Sequence, residues 1–221
     1  MNEAKEPFRF FTRQNLTYLT AKRASNVTEL LQGIRELPLS SIYYHTHHFL
    51  QQFEFLTPEP PNDFAYWITN VLQDEKLGER LASIDLRQFF RIRDIRDRLI
   101  EIIEQSLQEG SDGERRVPRG EEFSFMKAQT FVFQTKHVAH NLLEFRDSLK
   151  RISSYSIYYH MFESRLRLER DLSDFSVWLK DSLGEGELAA NFAKLDPYTQ
   201  TLESLRRNLI RQVDKRLEVI Q

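Results

Sequence analysis

The sequence predicts a mainly helical α+β fold. It is expected to be a tandem duplication of one module with a small β-hairpin or sheet and about five helices, the copies related by a pseudo-two-fold axis. Three observations point there. Phe8 to His45 aligns without a gap to Phe123 to His160, and the match ends in one unbroken block, Ser41-Ile42-Tyr43-Tyr44-His45 against Ser156-Ile157-Tyr158-Tyr159-His160. After a short slip the pairing resumes, with Asp63-Phe64-x-x-Trp67 opposite Asp174-Phe175-x-x-Trp178. Only 7 Gly and 7 Pro interrupt 221 residues, so the elements should be long and mostly helical. The modules are expected at 1–107 and 123–221, packed as one compact unit, with 108–122 as an exposed, mobile linker of mixed charge and three glycines.

Each element has a local reason. Phe8-Arg9-Phe10-Phe11-Thr12 and Leu16-Thr17-Tyr18-Leu19-Thr20 are short and aromatic or β-branched, which reads as two strands. The second copy offers Phe123-Ser124-Phe125 and Phe131-Val132-Phe133, and the two pairs are expected to join in one four-stranded sheet. Asn26 with Glu29, and Asn141 with Glu144, have capping-box spacing before the stripes Val27, Leu30, Leu31, Ile34 and Leu142, Phe145, Leu149, Ile152. The repeated block starts a second helix, with Ser41 and Ser156 as its expected caps. In the first copy that helix ends at the proline loop Pro58-Glu59-Pro60-Pro61. A third helix follows each aspartate, with Phe64, Trp67, Ile68 and Phe175, Trp178, Leu179 on one face. Short helices at Leu77–Ile84 and Glu187–Leu195 precede long ones at Leu86–Leu107 and Tyr198–Ile220.

Composition narrows the function classes. Zero cysteines exclude disulfides, thiolate metal sites and cysteine nucleophiles. A net charge of −2, from 31 basic and 33 acidic residues, calls for no nucleic-acid partner. No apolar run reaches membrane-span length, and the N-terminus lacks a signal-peptide pattern, so a cytoplasmic protein is expected.

The candidate site rests on the residues that both copies keep. His45 and His160 face the apolar side of their helices and are expected to be buried, hydrogen-bonded rings that hold helices in place. The alternative is a metal site or small enzyme between the modules, built from His45, His48, His160 and Glu163. His47 is expected at the solvent. Asp63 and Asp174 suit either N-caps or an acid–base pair, and Trp67 and Trp178 either core or a stacking platform. These six paired residues, His45, His160, Asp63, Asp174, Trp67 and Trp178, form the expected ligand-binding set, with no catalytic residue and no cofactor assigned.

The SIYYH and DFxxW blocks, with Leu195-Asp196-Pro197-Tyr198-Thr199, resemble a prokaryotic domain family of unknown function. Its members occur alone, or near or fused to glycosyltransferases. The resemblance implies a link to carbohydrate metabolism and offers no reaction. The expected function is a non-catalytic binding, adaptor or regulatory protein with a glycosyltransferase as a protein partner, and the alternative is the small metal-binding protein or enzyme with its site around His45 and His160.

Overall fold

The computed structural model describes residues 2–47, 62–195 and 200–220. Strand β1 (Glu3–Ala24) leads into α1 (Val27–Glu36), α2 (Leu39–His47), α3 (Asp63–Asn70) and α4 (Glu75–Ala82). A 3-10 turn (Leu86–Gln88) precedes α5 (Ile92–Gln108). Strand β2 (Phe123–Asn141) then leads into α6 (Leu142–Leu149) and α7 (Ser154–Tyr158). A π-helical turn (Tyr159–Glu163), α8 (Ser164–Leu168), α9 (Asp174–Asp181), α10 (Gly186–Ala193) and α11 (Leu202–Ile220) complete the order. The proline loop at 58–61 falls outside the described residues, as does the expected start of the last helix at Tyr198.

The expected strand architecture is corrected. Instead of a small hairpin in each copy and four paired strands, the described residues hold one two-stranded sheet, built from strands of 22 and 19 residues. The strands run antiparallel: the Thr20 hydroxyl donates to the Phe125 carbonyl at 2.7 Å and the Thr135 hydroxyl to the Phe10 carbonyl at 2.9 Å. The physical reason lies at Thr12-Arg13-Gln14-Asn15 and Lys127-Ala128-Gln129-Thr130. Neither stretch has the Gly or Pro of a tight turn, so each pair of expected short strands runs on as one. The pseudo-two-fold pair of modules, each with its own hairpin, is overturned with it. Phe8 and Phe10, which open the sequence, pack against Phe145 of α6 and Phe175 of α9.

Contacts divide the chain into two units, and the divisions fall inside the strands. The α1–α5 unit comprises 15–47 and 62–129 of the described residues. Asn26 Oδ1 accepts from the Glu29 N–H at 2.8 Å while Glu29 Oε2 accepts from the Ser25 N–H at 2.8 Å, so α1 starts at a reciprocal cap. The core joins Leu30 and Ile34 of α1, Ile42 of α2, Phe64 and Ile68 of α3, Leu99 and Ile103 of α5, and Phe125 of β2. Gly33 is required by close approach: a Cβ there would lie 2.2 Å from Phe125 Cζ. The segment 109–122 is exposed or half-exposed and is tied to this unit by Val117 N–H to Ser25 O, Thr28 N–H to Gly113 O, and Arg115 to Leu72 O. The helix expected from Leu86 begins only at Ile92, because Asp85 closes a 3-10 turn by accepting from the Arg87 N–H.

The α6–α11 unit comprises 2–14, 130–195 and 200–220. Asn141 and Glu144 repeat the reciprocal cap at α6. Leu205, Leu209, Val213 and Leu217 form the buried stripe of α11, as their spacing predicts. Phe145 lies between Phe10, Phe175 and Trp178, with ring centroids 5.1 to 5.7 Å away. Gly184, at φ +75°, follows α9 in the left-handed region that favours glycine.

Candidate functional site

A β-strand presents N–H and C=O groups along its edge that must find partners when buried. In the α1–α5 unit, two side chains one helical turn apart on α2 supply both partners for one residue. The Met126 N–H donates to His45 Nε2 at 2.9 Å, and the Ser41 hydroxyl donates to the Met126 carbonyl at 2.6 Å. Since Nε2 accepts, the ring proton sits on Nδ1, which lies 2.8 Å from Asp63 Oδ2 and donates to it. One turn along α3 from Asp63, Trp67 Nε1–H donates to the Glu121 carbonyl at 2.8 Å. Serine, histidine and tryptophan therefore attach α2 and α3 to the start of β2.

The α6–α11 unit holds a matching set on β1. The Phe11 N–H donates to His160 Nε2 at 2.8 Å, and the Ser156 hydroxyl to the Phe11 carbonyl at 2.6 Å. His160 Nδ1 is 2.8 Å from Asp174 Oδ2, and Trp178 Nε1–H donates to the Glu6 carbonyl at 2.7 Å. This explains the identical block: Ser-x-x-x-His is a strand-edge clamp, and the aspartate fixes the tautomer that makes it work.

Several expectations about single residues are corrected. Ser41 and Ser156 are not caps, because their hydroxyls are needed by the strand. Asp63 and Asp174 are not caps either: Asn62 and Ser173 cap α3 and α9, and the aspartates follow as first helical residues facing the imidazoles. His47 is buried, stacked on Tyr43 at 5.2 Å with Nδ1 2.7 Å from the Thr46 hydroxyl.

The surroundings of the two clamps differ. Asp63 is 48% exposed, whereas Asp174 is 17% exposed and also pairs with Arg167, at 2.9 and 3.0 Å. The Arg167 guanidinium lies 4.6 Å from the centre of the Tyr159 ring and bonds the Tyr159 hydroxyl. Burial pushes the His160 ring below the usual imidazole range, and Asp174 partly opposes this. At the end of the π-helical turn, burial pushes the Glu163 carboxyl up and Arg13 partly offsets it. Arg13, 3% exposed, pairs with Glu163 at 2.9 Å and sits 4.3 Å over the Tyr158 ring. Sequence reasoning missed Arg13 and Arg167, because neither is a residue that the two copies share.

The residues named for a metal are otherwise engaged. Each clamp ring donates from one nitrogen and accepts at the other, and Glu163 pairs with Arg13. His48 lies outside the described residues. Among the described residues no group of three or more His, Asp or Glu has metal-binding geometry. In the α6–α11 unit a cavity of about 690 Å³ opens beside His160, lined by Phe11, Tyr159, Trp178 and Asp174 and edged by charged side chains. Among the described residues no helix is long and apolar enough to cross a membrane.

Strands clamped by serine and histidine, within a mainly helical body, define the class structurally. The chain belongs to DUF5752, a family of unknown function whose sequence model matches residues 5–214. A solved structure, that of OrfY from Thermoproteus tenax, is similar to it, with 28% identity and a TM-score of 0.82 over 97% of each chain. No curated protein matches the chain.

Proposed function

We propose that this chain is a non-catalytic binding protein of the adaptor or regulatory kind, acting in the cytoplasm with a glycosyltransferase as its protein partner. The observation that carries the first part is the commitment of both imidazoles. A general base or metal ligand needs an open lone pair, and in each clamp Nε2 already accepts a strand N–H while Nδ1–H faces a carboxylate. The glycosyltransferase rests on the resemblance carried by the SIYYH and DFxxW blocks. The cysteine-free composition supports the cytoplasmic setting.

The test mixes the purified chain with glycosyltransferases of the same organism and follows complex formation by light scattering on a sizing column. The expected result is a defined complex with an altered rate of glycosyl transfer. Absence of any complex overturns the partner. Turnover by the chain alone that disappears in a folded His160→Gln variant overturns the non-catalytic reading.

A further inference from the structure

We propose that the cavity beside His160 binds a neutral, hydroxyl-rich ligand of mono- or disaccharide size. This goes beyond the adaptor reading and does not depend on it. The cavity, of about 690 Å³, falls within the roughly 300–1,000 Å³ of small-molecule sites. Its walls belong entirely to the α6–α11 unit, with Phe11, Tyr159 and Trp178 giving it an apolar lining.

The polar groups decide the ligand class. Arg167 is held by the Tyr159 ring beneath it, by the Tyr159 hydroxyl and by both oxygens of Asp174, yet its side chain stays 39% exposed. A planar donor fixed in this way needs little further ordering when a ligand arrives. Glu6, Arg9 and Asp181 are exposed around the cavity, and among the described residues their side chains make no hydrogen bond or ion pair. Charges of both signs therefore meet at one opening. A phosphate or carboxylate ligand would face Glu6, Asp174 and Asp181, and an amine would face Arg9 and Arg167. Hydroxyl groups donate and accept at once, so a neutral polyol can use carboxylate acceptors and guanidinium donors together, with its C–H faces on the aromatic wall.

Isothermal titration of the full chain with glucose, maltose and cellobiose tests this, beside inorganic phosphate, glucose 6-phosphate and spermidine. The variant Arg9→Ala/Asp181→Ala changes two exposed, unpaired side chains, so its Tm should match that of the parent. The expected result is saturable binding of at least one neutral sugar, weakened about tenfold or more in that variant. The inference is overturned if no neutral sugar binds saturably, if the double variant binds as the parent does, or if phosphate, glucose 6-phosphate or spermidine binds more tightly. Failure here leaves the partner proposal standing, since that is judged by complex formation.

Discussion

At the scale of single residues, the clamp turns two side chains into a substitute for a neighbouring strand. His45→Phe keeps a planar ring, somewhat larger, and removes the acceptor, leaving the Met126 N–H without its partner. The expected cost is about 1–3 kcal/mol, read by urea denaturation, with His45→Gln less costly because its amide oxygen can accept. Ser156→Ala should cost about 1–3 kcal/mol in the same assay, since the Phe11 carbonyl loses its donor. The pH dependence follows from burial of His160. With its pKa lowered in the folded state, the unfolded chain binds more protons below about pH 6.5, so the ring contributes stability above that pH and loses it as pH falls. Glu163, pushed up by burial, acts in the opposite sense above its ordinary value. The comparison isolating the histidine is therefore the stability of the parent minus that of His160→Gln. This difference should shrink as pH drops below about 6.5, and a flat difference down to about pH 5 would refute the assignment.

At the scale of elements, a two-stranded ribbon is marginal alone, and its persistence over 22 and 19 residues needs an explanation. The helices provide it, through the paired hydrogen bonds of the clamps and through Phe8, Phe10, Phe123 and Phe125, which are buried against helical side chains. Packing between α1 and β2 is close enough that side-chain size is decisive at Gly33. Gly33→Ala would place its methyl group against the fully buried Phe125 ring, so the ring or the helix must shift. A loss of about 1–3 kcal/mol is expected by thermal or chemical denaturation. A neutral or stabilising result, as helix propensity alone would give, would show that this contact is looser than the structure has it.

At the scale of the whole molecule, each half of the chain contributes a strand segment to the unit dominated by the other half. Residues 2–14 group with 130–220, and 123–129 group with α1–α5. A cut in the connecting segment should therefore leave the fragments associated. Trypsin is expected to cleave after Arg119, which lies beside exposed Gly120 at φ +98°, before Arg115 and Arg116, which are bonded to Leu72 and Glu29. The nicked protein should elute as one species on a sizing column. Separation into two folded halves would contradict the exchange of strand segments between the units.

The two asparagine–glutamate caps, the helical stripes and the burial of His45 and His160 were legible in the sequence because each depends on residues a few positions apart. Asn26 with Glu29, the stripe through Leu205 and Leu217, and the apolar side shared by Ile42 and His45 all follow from helical period alone. The sequence also marked His45, Asp63 and Trp67 with their counterparts as a set, while it read the repeated Ser41 and Ser156 as caps. What these residues do was decided by tertiary structure. The groups they satisfy are the backbone N–H and C=O of Met126 and Phe11, which carry no side-chain signature and lie far away along the chain. The strands differed from expectation for the same reason. Composition reports that residues favour extended structure, while their pairing and the helices that cover them depend on contacts that no local pattern encodes.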